Sequence, residues 1–177
     1  VTSSTRSDSK TLLVLDGHSL TYRAFFGLPT DMVTASGQVT NAVFGFTSML
    51  LNILKERRPA GIIVAFDRSE PTFRHIAEPS YKAQREESPE ILRQQVGIVR
   101  EVLQAMGITT VDVVGFEADD VIATLADRAV DHGFEVIVIT GDRVSLRRST
   151  RPMRRCVAIR ATTCRECRVW GRRQRRN

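Results

Sequence analysis

The sequence predicts an α/β fold built on a mainly parallel sheet flanked by helices. Three observations carry that expectation. Short β-branched runs recur along the chain, each is followed by an aspartate or a Gly-Asp pair, and between them lie segments whose apolar residues repeat at three- and four-residue spacing.

The first run, Thr11 to Leu15, leads into Asp16-Gly17, the second, Gly61 to Phe66, into Asp67, and the third, Glu135 to Thr140, into Gly141-Asp142. Continuous apolar runs of this length suit strands covered on both faces. Thr109 to Val114 is a weaker fourth candidate. Val39, Val43, Phe46, Leu50 and Ile53 predict one helix; Leu92, Val96, Val99, Leu103 and Met106 predict another, with Ser88-Pro89 as its start and Gly107 as its stop. A third helix is expected over Ala118 to Asp131, carrying Val121, Ile122, Leu125 and Ala129 on one face. The segment from Arg68 to Glu87 lacks a clean period and is rich in Arg, Lys, Tyr and Pro, so it reads as a long functional loop or arch.

The length of 177 residues suits one domain. No run of about eighteen apolar residues occurs and residues 1–10 are polar, which predicts no membrane span, no secretory leader and a cytoplasmic location. Residues 1–10 are expected to be disordered. Three cysteines make no disulfide framework, and Cys164-Arg-Glu-Cys167 with Cys156 supplies too few ligands for structural zinc, so none is expected.

The net charge of +6 hides a division. Residues 1–143 hold 14 basic and 19 acidic side chains, whereas residues 144–177 hold 12 arginines against Glu166 alone. Bulk charge therefore gives the first part no claim to nucleic acid; only a clustered basic surface would. The tail has no lysine and no sustained period, so it predicts no packed element. Two explanations fit it: a disordered basic arm for nucleic acid, or translation of a GC-rich gene out of frame beyond Arg143.

Open α/β sheets gather their sites outside the carboxyl ends of the strands. Asp16, Asp67 and Asp142 each follow a predicted strand, and Glu117, Asp119 and Asp120 stand at the start of the helix after the fourth. Singly, each has an ordinary reading as a turn or first-turn residue. Together, six carboxylates on one edge would repel one another unless cations neutralised them, and hard oxygen ligands of this kind suit Mg²⁺ or Mn²⁺. Tyr22-Arg23-Ala-Phe25-Phe26, Phe73-Arg74-His75 and Tyr81-Lys82 lie in the same neighbourhood. Their rings can stack on bases and their cations can neutralise phosphates, although Phe25, Phe26 and Phe73 fit a core equally well. A Ser-His-Asp triad from Ser19, His18 and Asp16 fails, because sequence neighbours rarely supply that geometry. A Rossmann-like nucleotide binder is disfavoured too, since no glycine-rich phosphate loop follows Leu15.

Five stretches occur in order: Leu15-Asp-Gly-His-Ser-Leu-Thr-Tyr-Arg-Ala-Phe-Phe26, Ala65-Phe-Asp-Arg-Ser-Glu-Pro-Thr-Phe-Arg-His75, Tyr81-Lys-Ala-Gln-Arg85, Gly115-Phe-Glu-Ala-Asp-Asp-Val121 and Thr140-Gly-Asp-Arg143. They closely resemble the N-terminal 5′→3′ exonuclease domain of bacterial DNA polymerase I, over residues 11–143. The resemblance implies a PIN-like α/β fold and a structure-specific flap nuclease that hydrolyses a phosphodiester near a DNA 5′ end, in replication and repair, with two divalent ions. It implies that Asp16, Asp67, Glu117, Asp119, Asp120 and Asp142 are the metal ligands. Lys82 and Arg85 correspond to arch residues that steady the scissile phosphate, and Tyr22, Arg23, Arg74 and Tyr81 to further DNA contacts. Beyond Arg143 the resemblance stops. The family continues with a further Asp where this chain has Val144, and the later acidic pair, the duplex-gripping region and the polymerase portion have no counterpart. The second metal position is therefore expected to be incomplete and turnover impaired. The simultaneous loss of resemblance and of period favours the out-of-frame explanation of the tail. A non-catalytic DNA-binding fragment with a basic tail is the alternative.

Overall fold

In the computed structural model, residues 10–84 and 87–141 and the backbone of a strand at 156–160 are described. Strand β1 (Thr11–Asp16) leads directly into helix α1 (Gly17–Gly27), and α2 (Asn41–Arg57) precedes β2 (Gly61–Ala65). A short helix α3 (Phe73–Ala77) interrupts the predicted loop, followed by α4 (Glu90–Ala105), β3 (Thr109–Val111), α5 (Ala118–Asp131), β4 (Glu135–Thr140) and β5 (Cys156–Arg160). The strands pair in parallel in the order β3-β2-β1-β4-β5, so β1 sits in the middle with β2 and β4 on either side.

Alternation along the strands divides the core into two layers, as a two-residue period requires. Leu13 and Leu15 of β1, Val64 of β2, Phe66 just beyond it, and Ile137 and Ile139 of β4 pack with α1, α2 and α4. Val14, Ala65, Val136 and Val138 face the opposite layer, where α5 supplies Val121, Ile122 and Ala126. The predicted stripes of α2 and α4 are buried at Phe46, Leu50 and Ile53 and at Leu92, Val99 and Leu103. A buried polar brace ties this layer together. Gln95 Oε1 accepts from the Ala42 amide at 2.8 Å, Gln95 Nε2 donates to Asn41 Oδ1 at 3.0 Å, and Asn41 Nδ2 donates to the carbonyls of Phe25 and Leu28.

Besides α1 and α3, which no apolar stripe predicts, three features depart from the sequence expectations. Val39 lies outside α2 and forms a bridge with Val33. Strand β3 stops at Val111 because the next residue, Asp112, turns to ion pairs with Arg68 at 2.9 Å and Arg100 at 2.6 Å. Cys156–Arg160 pairs with β4, from Val136 opposite Cys156 to Thr140 opposite Arg160, although the tail shows no predictive period. An open strand edge offers a row of backbone donors and acceptors, and pairing through them does not depend on side-chain period. Among the described residues, no helix is long and apolar enough to cross a membrane.

Candidate metal and nucleic-acid site

Parallel strands that end at one level deliver their following residues to one edge. Asp16 closes β1 and caps α1: its Oδ1 accepts from the Ser19 amide at 2.9 Å, and Thr140 Oγ1 donates to its Oδ2 at 3.3 Å. Its carboxyl is pushed up to about 6, first by burial and then by Asp119 and Asp67, against the opposing bonds from Ser19 and Thr140. Gly17 follows because a β-carbon there would run into the ring of Phe66, itself 1% exposed. Asp67 Oδ1 accepts from the Ala118 amide at 2.7 Å, at the first residue of α5. The amino end of that helix, where the backbone N–H groups lack partners, is thereby turned toward a carboxylate.

The helix start supplies the rest. Asp119 is held above the usual carboxylate range by lost hydration first, and then by Asp67 and Glu117. Glu117 receives Lys82 Nζ at 2.8 Å on Oε1, and Tyr81 Oη at 3.1 Å and Arg74 Nη1 at 3.4 Å on Oε2. Asp120 accepts a two-pronged bond from Arg74, at 2.6 and 2.7 Å, together with the Glu117 amide at 3.1 Å. The Arg74 bonds hold Asp120 below its ordinary range. At Lys82, burial works against the charge, but the Glu117 carboxylate outweighs it and the ammonium is held above its usual range.

Asp16, Asp67, Glu117 and Asp119 line one cleft of about 580 Å³, and Tyr22, Arg23, Tyr81 and Lys82 line it with them. Asp120 is directed to Arg74 instead of the cleft wall. Asp142 and Arg85 lie outside the described residues.

Two cleft residues were given no settled role by the sequence: Ser19, considered only in the rejected triad, and Phe26, left open between base stacking and core. Ser19 Oγ accepts from the Gly141 amide at 3.0 Å, clamping the end of β4 over α1. Phe26 is 58% exposed on the cleft with its ring 5.2 Å from Tyr22, whereas Phe25 is buried in the core. The signal for both was an Asp N-cap at Asp16: a helix begun there puts Ser19, Tyr22, Arg23 and Phe26 on one face. Phe73, also left open, is 46% exposed with Arg74 over its ring at 4.5 Å.

Among the described residues, no three His, Cys, Asp or Glu side chains are already arranged to hold a metal ion. Both oxygens of Glu117 are taken up by Lys82, Tyr81 and Arg74, and both of Asp16 by the Ser19 amide and the Thr140 hydroxyl. The donor chemistry still fits a hard divalent cation. Asp16, Asp67, Glu117 and Asp119 offer only carboxylate oxygens, and Asp16 and Asp119 are raised first by burial and then by neighbouring carboxylates, a like-charge cluster that a cation would relieve.

The family model described as 5'-3' exonuclease, N-terminal resolvase-like domain matches residues 11–154. The chain belongs to this family. Among curated relatives of this exonuclease domain, DNA polymerase I of Mycobacterium bovis is 50% identical over 137 residues, which cover 77% of this chain and 15% of that protein. DNA polymerase I of Bacillus caldotenax is 48% identical over 134 residues, covering 76% and 15%. The chain thus spans about 15% of the length of these relatives. Among solved structures, the T5 D15 protein co-crystallized with metal ions superposes with a TM-score of 0.56 at 20% identity, covering 75% of this chain and 48% of that one. The bacteriophage T5 D15 flap endonuclease, in a pseudo-enzyme-product complex with DNA and metal ions, gives 0.50 at 22% identity, covering 75% and 49%. These likenesses show the fold: the PIN-like α/β arrangement that the sequence resemblance implies for the 5'-3' exonuclease domain.

Proposed function

We propose that this chain carries the catalytic edge of a divalent-metal-dependent 5′→3′ nuclease that acts on DNA near a 5′ end or flap, in the cytoplasm. The observation that carries the reading is the shared cleft of Asp16, Asp67, Glu117 and Asp119, with Lys82, Tyr81, Arg23 and Tyr22 on its walls. The four carboxylates would hold Mg²⁺ or Mn²⁺, with Asp142 the remaining ligand for a second ion. A bound ion pair of this class supplies an activated water and stabilises the leaving oxygen. Asp16, held between the Ser19 amide and the Thr140 hydroxyl, keeps a fixed orientation toward the cleft. Lys82 and Arg85 would steady the scissile phosphate, Arg23 and Arg74 neighbouring phosphates, and Tyr22 and Tyr81 would stack against bases.

Val144 offers no side-chain oxygen where the resemblance implies a further aspartate, so this chain should turn over slowly. The test pairs binding with chemistry. Millimolar Mn²⁺ should raise the melting temperature, because it binds the folded state preferentially, and Asp67→Asn with Asp119→Asn should abolish the rise. Single-turnover cleavage of a 5′-labelled flap in Mn²⁺ should be detectable in the parent and absent in that variant. No metal-dependent shift and no cleavage would leave the second reading, a non-catalytic DNA-binding fragment. The Lys82 and Tyr81 bonds that take up both oxygens of Glu117 favour that alternative.

A further inference from the structure

Three donors from one loop end on the two carboxylates that open α5: the Arg74 guanidinium, the Tyr81 hydroxyl and the Lys82 ammonium. The tip of this loop has little backbone support. Tyr81 and Ala83 donate only to the carbonyls of Glu78 and Ser80, within the same turn. Lys82 has φ of 59°, a left-handed conformation that a residue with a β-carbon adopts only when something holds it there. The 2.8 Å bond from Lys82 to Glu117 is that hold, with Tyr81 bonded to the other oxygen of the same carboxylate. The base of the loop has an anchor besides Glu117: Arg74 reaches Glu117 only at 3.4 Å but grips Asp120 with two bonds at 2.6 and 2.7 Å, away from the cleft wall.

We propose that the Tyr81–Lys82 turn is a latch, closed on Glu117 in the cation-free protein and opened by a divalent cation that takes Glu117. The inference rests on the metal-dependent reading above and adds its regulation. With the latch closed, Lys82 is the internal counter-ion that lets the acidic cleft exist without metal. A doubly charged ion outcompetes an ammonium for the same carboxylate. Glu117 then gives up Lys82, the turn loses its hold, and the ammonium becomes available to a substrate phosphate while Arg74 keeps the base in place. Conversely, a phosphate that takes Lys82 frees Glu117, so cation and substrate reinforce each other's binding by linkage.

The chain contains three lysines, Lys10, Lys55 and Lys82, so an endoproteinase that cuts only after lysine reads the latch directly. Such a protease must draw the lysine side chain into its own pocket, which a latched Lys82 resists. The full chain is digested briefly with and without Mg²⁺, products are identified by mass, and Mg²⁺ binding is followed in parallel by calorimetry. Mg²⁺ should speed the cut after Lys82 about tenfold relative to the cut after Lys10, the worth of one charge-assisted hydrogen bond. Glu117→Gln should give the same rise with no metal. Mg²⁺ that binds without changing the cut after Lys82 overturns the latch and leaves the metal site standing, as does an unchanged cut in Glu117→Gln. Mg²⁺ that fails to bind overturns the metal-dependent reading and the latch with it.

Discussion

The two halves of the acidic edge are held by different kinds of partner. Asp16 and Asp67 rest on backbone amides, those of Ser19 and Ala118, so their positions are set by strand ends and helix starts. Glu117 and Asp120 rest mainly on side-chain cations, Lys82 and Arg74. An amide cannot leave without unfolding its helix, whereas an ammonium on a flexible stem can. The strand-end half is therefore built with the fold, and the helix-start half is held by exchangeable partners.

The largest expected effect lies in the strand-end half. Asp16 is 7% exposed and its carboxyl is raised to about 6 in the folded chain. A carboxyl raised on folding contributes stability at low pH that is lost as pH climbs through its folded value. In chelator at pH 7, Asp16→Asn, whose amide keeps a capping oxygen, should therefore be more stable than the parent by about 3 kcal/mol, and the gap should largely disappear by pH 4. Urea titrations of both proteins at the two pH values check this. A gap independent of pH would mean that the charge of Asp16 is not what burial penalises.

Gly17→Ala attacks the same half sterically. The new methyl meets the buried Phe66 ring, over which Arg100 stacks at 4.4 Å, so the ring has little room to yield. The urea midpoint should drop by the equivalent of about 2 kcal/mol. A midpoint equal to the parent's would show that β1 and α1 are not rigidly joined at Asp16.

Arg74→Met breaks the cation-held half and should cost less, about 1 kcal/mol, because both partners are partly in water. This difference should shrink in 0.5 M salt, roughly a Debye length of 4 Å, while the Gly17→Ala difference should not. Equal salt response in the two variants would erase the distinction between the halves.

Much of this was legible in the sequence, for a physical reason. Buried parallel strands must be apolar on both faces, so β1, β2 and β4 stand out, and the carboxyl-end rule then places Asp16 and Asp67. Helix α5 was legible over its full span because its stripe is clean. Helix α1 was not, since His18 and Ser19 break the apolar pattern and Asp16-Gly17 passes for a turn. Adjacent candidates on a helix were the other blind spot. Neighbours there point about 100° apart, so Asp119 and Asp120, like Phe25 and Phe26, cannot share a direction. One of each pair faces the cleft, and the other bonds to Arg74 or fills the core.

The central position of β1 also governs when the site comes into being. Its partner β2 is complete at Ala65, but β4, which sets Leu15 against Ile139, arrives far later. During synthesis from the amino end, Asp16 and Asp67 meet early, while the Thr140 hydroxyl and the Gly141 amide on Ser19 come after nearly all of the core has emerged. Pairing between such distant segments is slow, because the closure entropy of a long loop precedes any contact that rewards it. A nascent chain thus carries Asp16 and Asp67 long before it has a cleft to put them in. The completion of β4 is the event that turns a string of carboxylates into a site.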